Sequence, residues 1–463
     1  MSNPTPQAAL PVEERDYGDY GERVADVLDL VEVEDQAALR RAVAEEFHPS
    51  EVAPLLESLP PPARSLVWEV LDDAQRAEAL IELHDEVRGA LIETTAPEVL
   101  VAVAQALDVD DLVPLLEDFP EPAAREVLQQ LTPQERVQLD TLLTYPEDSA
   151  GRSMRSDEIR LAPTLTAAAT LALLRRHGPL PDYTDKLMVV DGEQRLLGVL
   201  ALGDLVAAAG KTAITDLMAT DAGRVLATTA LPTVADSFER RDLVSAPVVD
   251  DGGRLLGRIT LYEVMDYIHQ EGEHAFMARA GLDDEEDLFA PVFKSARRRG
   301  LWLGINLATA FLAAGVIGLF EATLEQVVAL AVLMPIVASM GGIAGSQTLT
   351  LTIRGLALGQ IGVGNTHWLA RKELAVGVLN GLIWALVVAV GGVVWFRDAN
   401  LGVVIALAMV INQFAAALAG VFVPLTLHRL KLDPALSGSV VLTTVTDVVG
   451  FMSFLGIGSW LLL

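Results

Sequence analysis

Leu301-Trp302-Leu303-Gly304-Ile305-Asn306-Leu307-Ala308-Thr309-Ala310-Phe311-Leu312-Ala313-Ala314-Gly315-Val316-Ile317-Gly318-Leu319-Phe320 follows directly on Arg297-Arg298-Arg299-Gly300 and carries no charge. A helix of that length rises about 30 Å, the thickness of a bilayer's hydrocarbon core. Four more apolar stretches follow, roughly residues 327–353, 374–396, 401–427 and 436–463. So little charge over five runs is hard to reconcile with the interior of a water-soluble domain, so residues 301–463 read as five transmembrane helices.

The rest of the chain is built differently. The 463 residues carry a formal charge of −30, yet the mean hydropathy is +0.38. From residue 300 onward the bases are Arg354, Arg371, Lys372, Arg397, Arg429 and Lys431, and the acids are Glu321, Glu325, Glu373, Asp398, Asp433 and Asp447. These cancel, which leaves 57 acids and 27 bases, and the whole −30, to the first 299 residues. Such a charge argues against a nucleic-acid partner. With no cysteine in the chain, disulfides, thiolate zinc sites and Fe–S clusters are excluded. Residues 1–21 are polar, with Pro4, Pro6 and Pro11, and read as a disordered tail without a cleavable signal.

Charge also sets the orientation. Arg297–Arg299 precede the first span, Arg354, Arg371 and Lys372 lie between the second and third, and Arg429 and Lys431 lie between the fourth and fifth. Positive charge marks the cytoplasmic side. The N-terminal part is therefore expected in the cytoplasm and the C-terminus on the opposite face.

Within the spans, Asp447 is the one acid far from either end. It shares a helix face with Ser439 and Thr443, and Thr444 lies three residues before it. A carboxylate at membrane depth without a basic neighbour must be protonated, face water or meet a cation. The plainer alternative is a neutral Asp bonded to a neighbouring helix. In the second span, Pro335 frees a carbonyl and Gly341, Gly342 and Gly345 allow close backbone approach, either around a cavity or in ordinary helix packing.

Two internal repeats organise the soluble part. Val189-Val190-Asp191-Gly192-Glu193-Gln194-Arg195-Leu196-Leu197-Gly198 recurs 59 residues later as Val248-Val249-Asp250-Asp251-Gly252-Gly253-Arg254-Leu255-Leu256-Gly257. Each copy predicts a strand, a tight turn, a second strand and then a helix, near residues 204–209 and 263–269. Upstream, residues 22–150 read as an acidic, all-helical superhelix. Pro54-Leu55-Leu56-Glu57 recurs as Pro114-Leu115-Leu116-Glu117, and prolines stand where short helices begin. No nucleophile–base arrangement or ATP-binding P-loop is present, so an enzyme is not expected.

The strand–turn–strand–helix repeat resembles a tandem cystathionine-β-synthase (CBS) pair, over residues 151–270. That resemblance implies an adenine nucleotide such as ATP, with Asp204 and Glu263 in the position of the ribose-binding acid. The whole order resembles the MgtE family of magnesium channels and transporters: helical domain, CBS pair, connecting (plug) helix region at 271–300 and five spans. Three motifs carry the likeness. They are Pro335 to Gln347 with Met340-Gly341-Gly342, then Lys372-Glu373-Leu374-Ala375-Val376-Gly377, and Asp433-Pro434-Ala435-Leu436 followed by Thr446-Asp447-Val448-Val449-Gly450.

The resemblance implies a Mg²⁺-selective, channel-like importer, a homodimer in a bacterial inner membrane, gated by cytosolic Mg²⁺. Asp447 would be the pore carboxylate, Thr443 would contribute its backbone there, and Asp433 would lie at the cytoplasmic mouth. Asp110 and Asp111 would be cytosolic Mg²⁺ ligands, with Glu263, Asp266, Glu271 and Glu273 on the connector. The chain departs from the pattern at Ile343 and Ser346, where some relatives carry Asn, at Thr443, where a smaller residue is expected, and at Pro114, which replaces an acid. The competing readings are an importer of Co²⁺ or another divalent cation, and a nucleotide-sensing receptor that transports nothing.

Overall fold

The computed structural model describes residues 17–33, 35–278, 280–282, 286–357, 359–362 and 364–463. The chain divides into two compact units, Met1–Glu271 with Glu285–Ala290, and Gly272–Asp284 with Pro291–Leu463.

In the first unit, the described residues up to Leu143 form ten α-helices, from Tyr17–Glu32 to Pro133–Leu143. Most run only two to three turns, too short to persist alone in water. Local sequence sets their ends: Pro61, Pro97 and Pro133 open helices at the first turn, and capping boxes Asp72–Gln75 and Thr132–Glu135 satisfy first-turn N–H groups. Stability comes from their inward faces, where Leu55, Leu56, Leu59, Leu80, Leu100 and Leu115 are fully buried in one core. The 60-residue repeat is visible as Val52–Glu57 with Pro61–Val70, and Val109–Asp118 with Glu121–Gln130.

The first helix begins at Tyr17, so residues 17–21 of the stretch expected to be a tail are helical. Tyr20 explains the difference. Its ring meets Phe47 edge-on at 6.1 Å, and the Arg23 guanidinium lies over it. Residues 1–16 lie outside the described residues.

Two three-stranded sheets follow. β1 (Arg160–Leu161) runs parallel to β2 (Lys186–Val190), which pairs antiparallel with β3 (Leu196–Ala201). β4 (Val225–Leu226), β5 (Ser245–Val249) and β6 (Leu255–Thr260) repeat that order, with the bulge at the equivalent place, Val189/Val190 and Val248/Val249. The turns obey the same chemistry. Asp191 Oδ1 accepts from the Arg195 N–H at 2.9 Å and Asp250 Oδ1 from the Arg254 N–H at 2.8 Å. The left-handed position is Gly253 in the second copy, φ +77°, and Gln194 in the first, φ +63°. The two turns bond each other: Leu196 N–H donates to the Gly253 carbonyl and Leu255 N–H to the Gln194 carbonyl.

Val109, Val113, Leu139 and Leu142 of the helical part share a core with Met154 and with Val234, Phe238, Ile259 and Val264 of the second CBS copy. One apolar interior therefore joins the two domains. After β6 a single helix runs unbroken from Leu261 to Ala278, so the connecting helix starts before residue 271 and Gly272 does not interrupt it. A lone helical Gly costs about 1 kcal/mol, less than its helix-forming neighbours supply.

In the second unit, among the described residues, five helices are long and apolar enough to cross a membrane: Val292–Gly318, Val328–Ala357, Thr366–Phe396, Ala399–Arg429 and Pro434–Leu462. Each contains one of the expected spans or nearly all of it. The first starts at Val292 and takes Arg297–Arg299 into its opening turns. The fourth is the most buried and packs on the second, third and fifth.

Candidate functional site

Asp447 lies near the middle of the fifth membrane helix, one turn before the buried Gly450. Its side chain is half-buried, and among the described residues no donor reaches its carboxylate. The hydroxyls around it are otherwise engaged. Thr443 Oγ1 donates to the Ser439 carbonyl at 2.9 Å, Thr444 Oγ1 to Val440 at 2.8 Å, and Thr446 Oγ1 to the Thr443 carbonyl at 3.0 Å. These three threonines are therefore tied to the helix's own carbonyls, and among the described residues Asp447 is left as an acceptor without a donor.

Against Gly450 of the same helix sits Asn412 of the fourth helix, fully buried and not singled out by sequence reasoning. Its Nδ2 donates to the Val337 carbonyl at 2.8 Å, which ties the fourth helix to the second. Two glycines make its room. A Cβ at Gly341 would overlap Asn412 Nδ2, and one at Gly450 would lie 2.8 Å from it. Gly345 likewise admits Leu442, whereas nothing described lies within 4 Å of a Cβ at Gly342. Gly341 and Gly345 thus serve close helix packing. Attention to the acids alone passed over Asn412; a buried amide within an apolar span is the signal that identifies it.

Asp433 caps the fifth helix. Its carboxylate accepts from the Ala435 N–H at 2.8 Å and the Leu436 N–H at 3.2 Å. His274, near the end of the connecting helix, contacts its Oδ2 at 3.2 Å. Glu373 is buried near the start of the third helix, where Lys372 Nζ approaches it at 2.8 Å and Thr348 Oγ1 of the second helix donates to it at 3.1 Å. Asp266 and Glu271 lie exposed on the connecting helix, and Glu273 is half-buried there.

In the first unit, Asp110 and Asp111 stand in the first turn of Val109–Asp118 and Glu263 in the first turn of Leu261–Ala278. The structure brings these acids to one junction and fills their oxygens with protein donors. Arg155 Nε binds Glu263 at 2.8 Å and Arg155 Nη2 binds Asp111 at 3.2 Å. Glu263 Oε2 also accepts from the Thr260 N–H and hydroxyl. Asp110 accepts from Ser156 N–H at 2.7 Å, Ser156 Oγ at 3.1 Å and Gln138 Nε2 at 2.8 Å. Burial raises the pKa of both aspartates, and Ser156 and Gln138 for Asp110, or Arg155 for Asp111, only partly offset it. Among the described residues no group of three or more His, Asp and Glu is arranged to hold a metal ion. These three acids do not fit a metal as they stand.

The two acids expected at a nucleotide differ in the same way. Asp204 is exposed on the helix Leu202–Ala207, while Glu263 is committed to Arg155 and Thr260. The chain between the connecting helix and the first span carries an acidic run at 283–287. Residues 283–285 lie outside the described residues, but Asp287 is not solvated: it is buried in a bidentate pair with Arg64.

Comparison with known proteins agrees with this architecture. A family model described as a divalent cation transporter, MgtE, matches residues 334–457, one for the MgtE intracellular N domain matches 47–148, and the CBS domain matches 150–211 and 214–270. The magnesium transporter MgtE of Thermus thermophilus is 32% identical over 437 residues, covering 92% of this chain and 96% of that one. The magnesium transporter MgtE of Bacillus subtilis is 28% identical over 424 residues, covering 90% and 93%. A crystal structure of the cytosolic domain of the Mg²⁺ channel MgtE in complex with ATP is 30% identical, covers 53% of this chain and 99% of its own, and superposes with a TM-score of 0.48. On the length and identity of these matches, the chain belongs to the MgtE family of divalent cation transporters.

Proposed function

We propose that this protein is a Mg²⁺-selective, channel-like importer of a bacterial plasma membrane, with its N-terminal unit in the cytoplasm. The observation that carries the reading is Asp447, an intramembrane carboxylate with no protein donor among the described residues, beside threonines whose hydroxyls bond their own helix. Mg²⁺ gives up water reluctantly and prefers oxygen ligands, so a carboxylate beside helix carbonyls suits a largely hydrated ion. In a homodimer two such carboxylates repel one another unless a cation lies between them. A potential of about 100 mV, inside negative, drives a divalent ion inward by about 4.6 kcal/mol, so no energy-coupling domain is needed.

Gating by cytosolic Mg²⁺ is the second part of the proposal. The −30 charge resides in the first 299 residues. The connecting helix, with Asp266, Glu271 and Glu273, ends where His274 meets Asp433 at the start of the Asp447 helix. Neutralising the helix's acids with a divalent cation favours one arrangement of the connector over another only through differential affinity. An adenine nucleotide in the first CBS copy, beside Asp204, adds a second input.

Uptake by proteoliposomes tests transport directly. With the potential set inside negative, Mg²⁺ should enter and Co²⁺ should enter more slowly. Equal rates would favour a general divalent importer, and no flux of either would favour the receptor reading. Limited proteolysis tests gating: millimolar Mg²⁺ should slow cleavage of the cytosolic unit, and an unchanged pattern would end that part of the proposal.

A further inference from the structure

We propose that Arg155 is a built-in cation that clamps the helical domain onto the second CBS copy, so that this junction closes without a divalent metal. Asp110 and Asp111 approach from the helical domain and Glu263 from the helix that follows β6. Carboxylates brought together from two domains repel unless a positive charge lies among them. Here that charge is covalent. One guanidinium face donates from Nε to Glu263 and from Nη2 to Asp111, and its fork geometry suits two acceptors at once.

The clamp is fixed in place by its backbone. Arg155 N–H donates to the Arg258 carbonyl at 2.7 Å, and Arg258 N–H returns a bond to the Arg155 carbonyl at 2.8 Å. This bridge docks the segment on β6. The Arg258 side chain is buried against Asp157 in a bidentate pair of two 2.7 Å contacts, which immobilises the next turn. Ser156, between them, supplies two donors to Asp110. Three consecutive residues, Arg155, Ser156 and Asp157, therefore serve the junction in turn. Arg152 adds a further cross-junction pair with Glu117 at 2.7 Å.

Two consequences separate this from a metal-bridged junction. A guanidinium cannot be chelated away and stays charged at any physiological pH, so the contact persists when cytosolic Mg²⁺ falls. Any Mg²⁺-driven rearrangement must then occur elsewhere in the cytosolic unit, and the helical domain and CBS copy move as one body. The inference holds whether or not the membrane helices conduct, so it survives or fails separately from the transport proposal.

Hydrogen exchange of the full-length protein in detergent, read by mass spectrometry, tests it. The reporters are peptides covering residues 108–118 and 150–158, which include the Ser156 N–H bonded to Asp110. In wild type their protection should be the same in EDTA and in millimolar Mg²⁺. In Arg155→Gln, exchange in EDTA should rise at least tenfold, a loss of about 1.4 kcal/mol. Mg²⁺ should restore protection there, because Asp111 and Glu263 are then free to share a metal. Arg155→Lys, which keeps the charge but loses the fork, should lie between. A peptide from residues 52–71, in the helical core, should not change and guards against general unfolding. Wild-type protection that depends on Mg²⁺ would overturn the inference, as would an Arg155→Gln junction as protected in EDTA as wild type.

Discussion

Arg64 and Asp287, 223 residues apart in the chain, form a buried bidentate ion pair, with Nη1 to Oδ2 at 2.8 Å and Nη2 to Oδ1 at 3.0 Å. Arg64 is anchored further by donating to the Leu56 and Leu59 carbonyls, and Asp287 by accepting from the Phe289 N–H. The pair fastens the segment just before the first membrane helix, which starts at Val292, to the helical domain. Removing one partner strands a charge in the interior, which costs about 3–5 kcal/mol. Arg64→Ala or Asp287→Ala should therefore lower thermal stability sharply, while the double replacement Arg64→Met with Asp287→Leu should lose much less. Thermal unfolding in detergent checks the difference, and equal losses in all three variants would contradict it.

Asn412 and its two glycines should behave as a coupled set. Gly341→Ala and Gly450→Ala push a methyl into Asn412, and overpacking of this kind costs about 1–3 kcal/mol. Asn412→Ala alone gives up its bond to Val337, about 0.6–1.7 kcal/mol between membrane helices. In the Asn412→Ala background the Gly341→Ala penalty should shrink, since the overlap is gone. Gly342→Ala, with open space at its Cβ, should cause no loss. Unfolding midpoints for the four-membered cycle check this.

The paired CBS turns predict opposite outcomes at equivalent positions. Gln194 holds a left-handed backbone at φ +63° where the second copy has Gly253 at +77°. That conformation costs a non-glycine residue about 1–2 kcal/mol. Gln194→Gly should stabilise the cytosolic unit by roughly 0.5–1 kcal/mol after the added freedom of the unfolded chain, and Gly253→Gln should destabilise it by a similar amount.

Glu158 sets a pH dependence. Burial raises its pKa above the ordinary 4.5, and the Arg160 charge offsets this only in part. A carboxyl with a raised folded-state value contributes stability below its unfolded value and loses it as pH climbs through the folded one. Glu158→Gln removes that loss. The melting temperature of the variant minus that of wild type should therefore grow between pH 4.5 and pH 7, whatever its offset; a difference that shrinks over that range would contradict the assignment.

Much of this architecture was readable from residue order. Five long apolar runs have few alternatives to spanning helices, and a gapless 59-residue repeat with Asp/Gly turns predicts the β2–β3 and β5–β6 hairpins, though not their bulges or the parallel strands β1 and β4. Asp447 stood out in the sequence because an acid inside an apolar helix is costly. What escaped were pairings across long sequence separations. Nothing local marks Asp287, at the end of an acidic run, as the partner of Arg64, or Arg155 as the counter-charge for Asp111 and Glu263. Asn412 escaped because only the packing of Gly341 and Gly450 around it shows its place.

The central claim is that Asp447 is the group the transported ion must meet. Rescue of a Mg²⁺-import-deficient bacterium on low-Mg²⁺ medium, by wild type and by Asp447→Ala expressed at equal levels in the membrane, tests it most directly. Growth is expected with wild type and none with Asp447→Ala. Growth with both would contradict it.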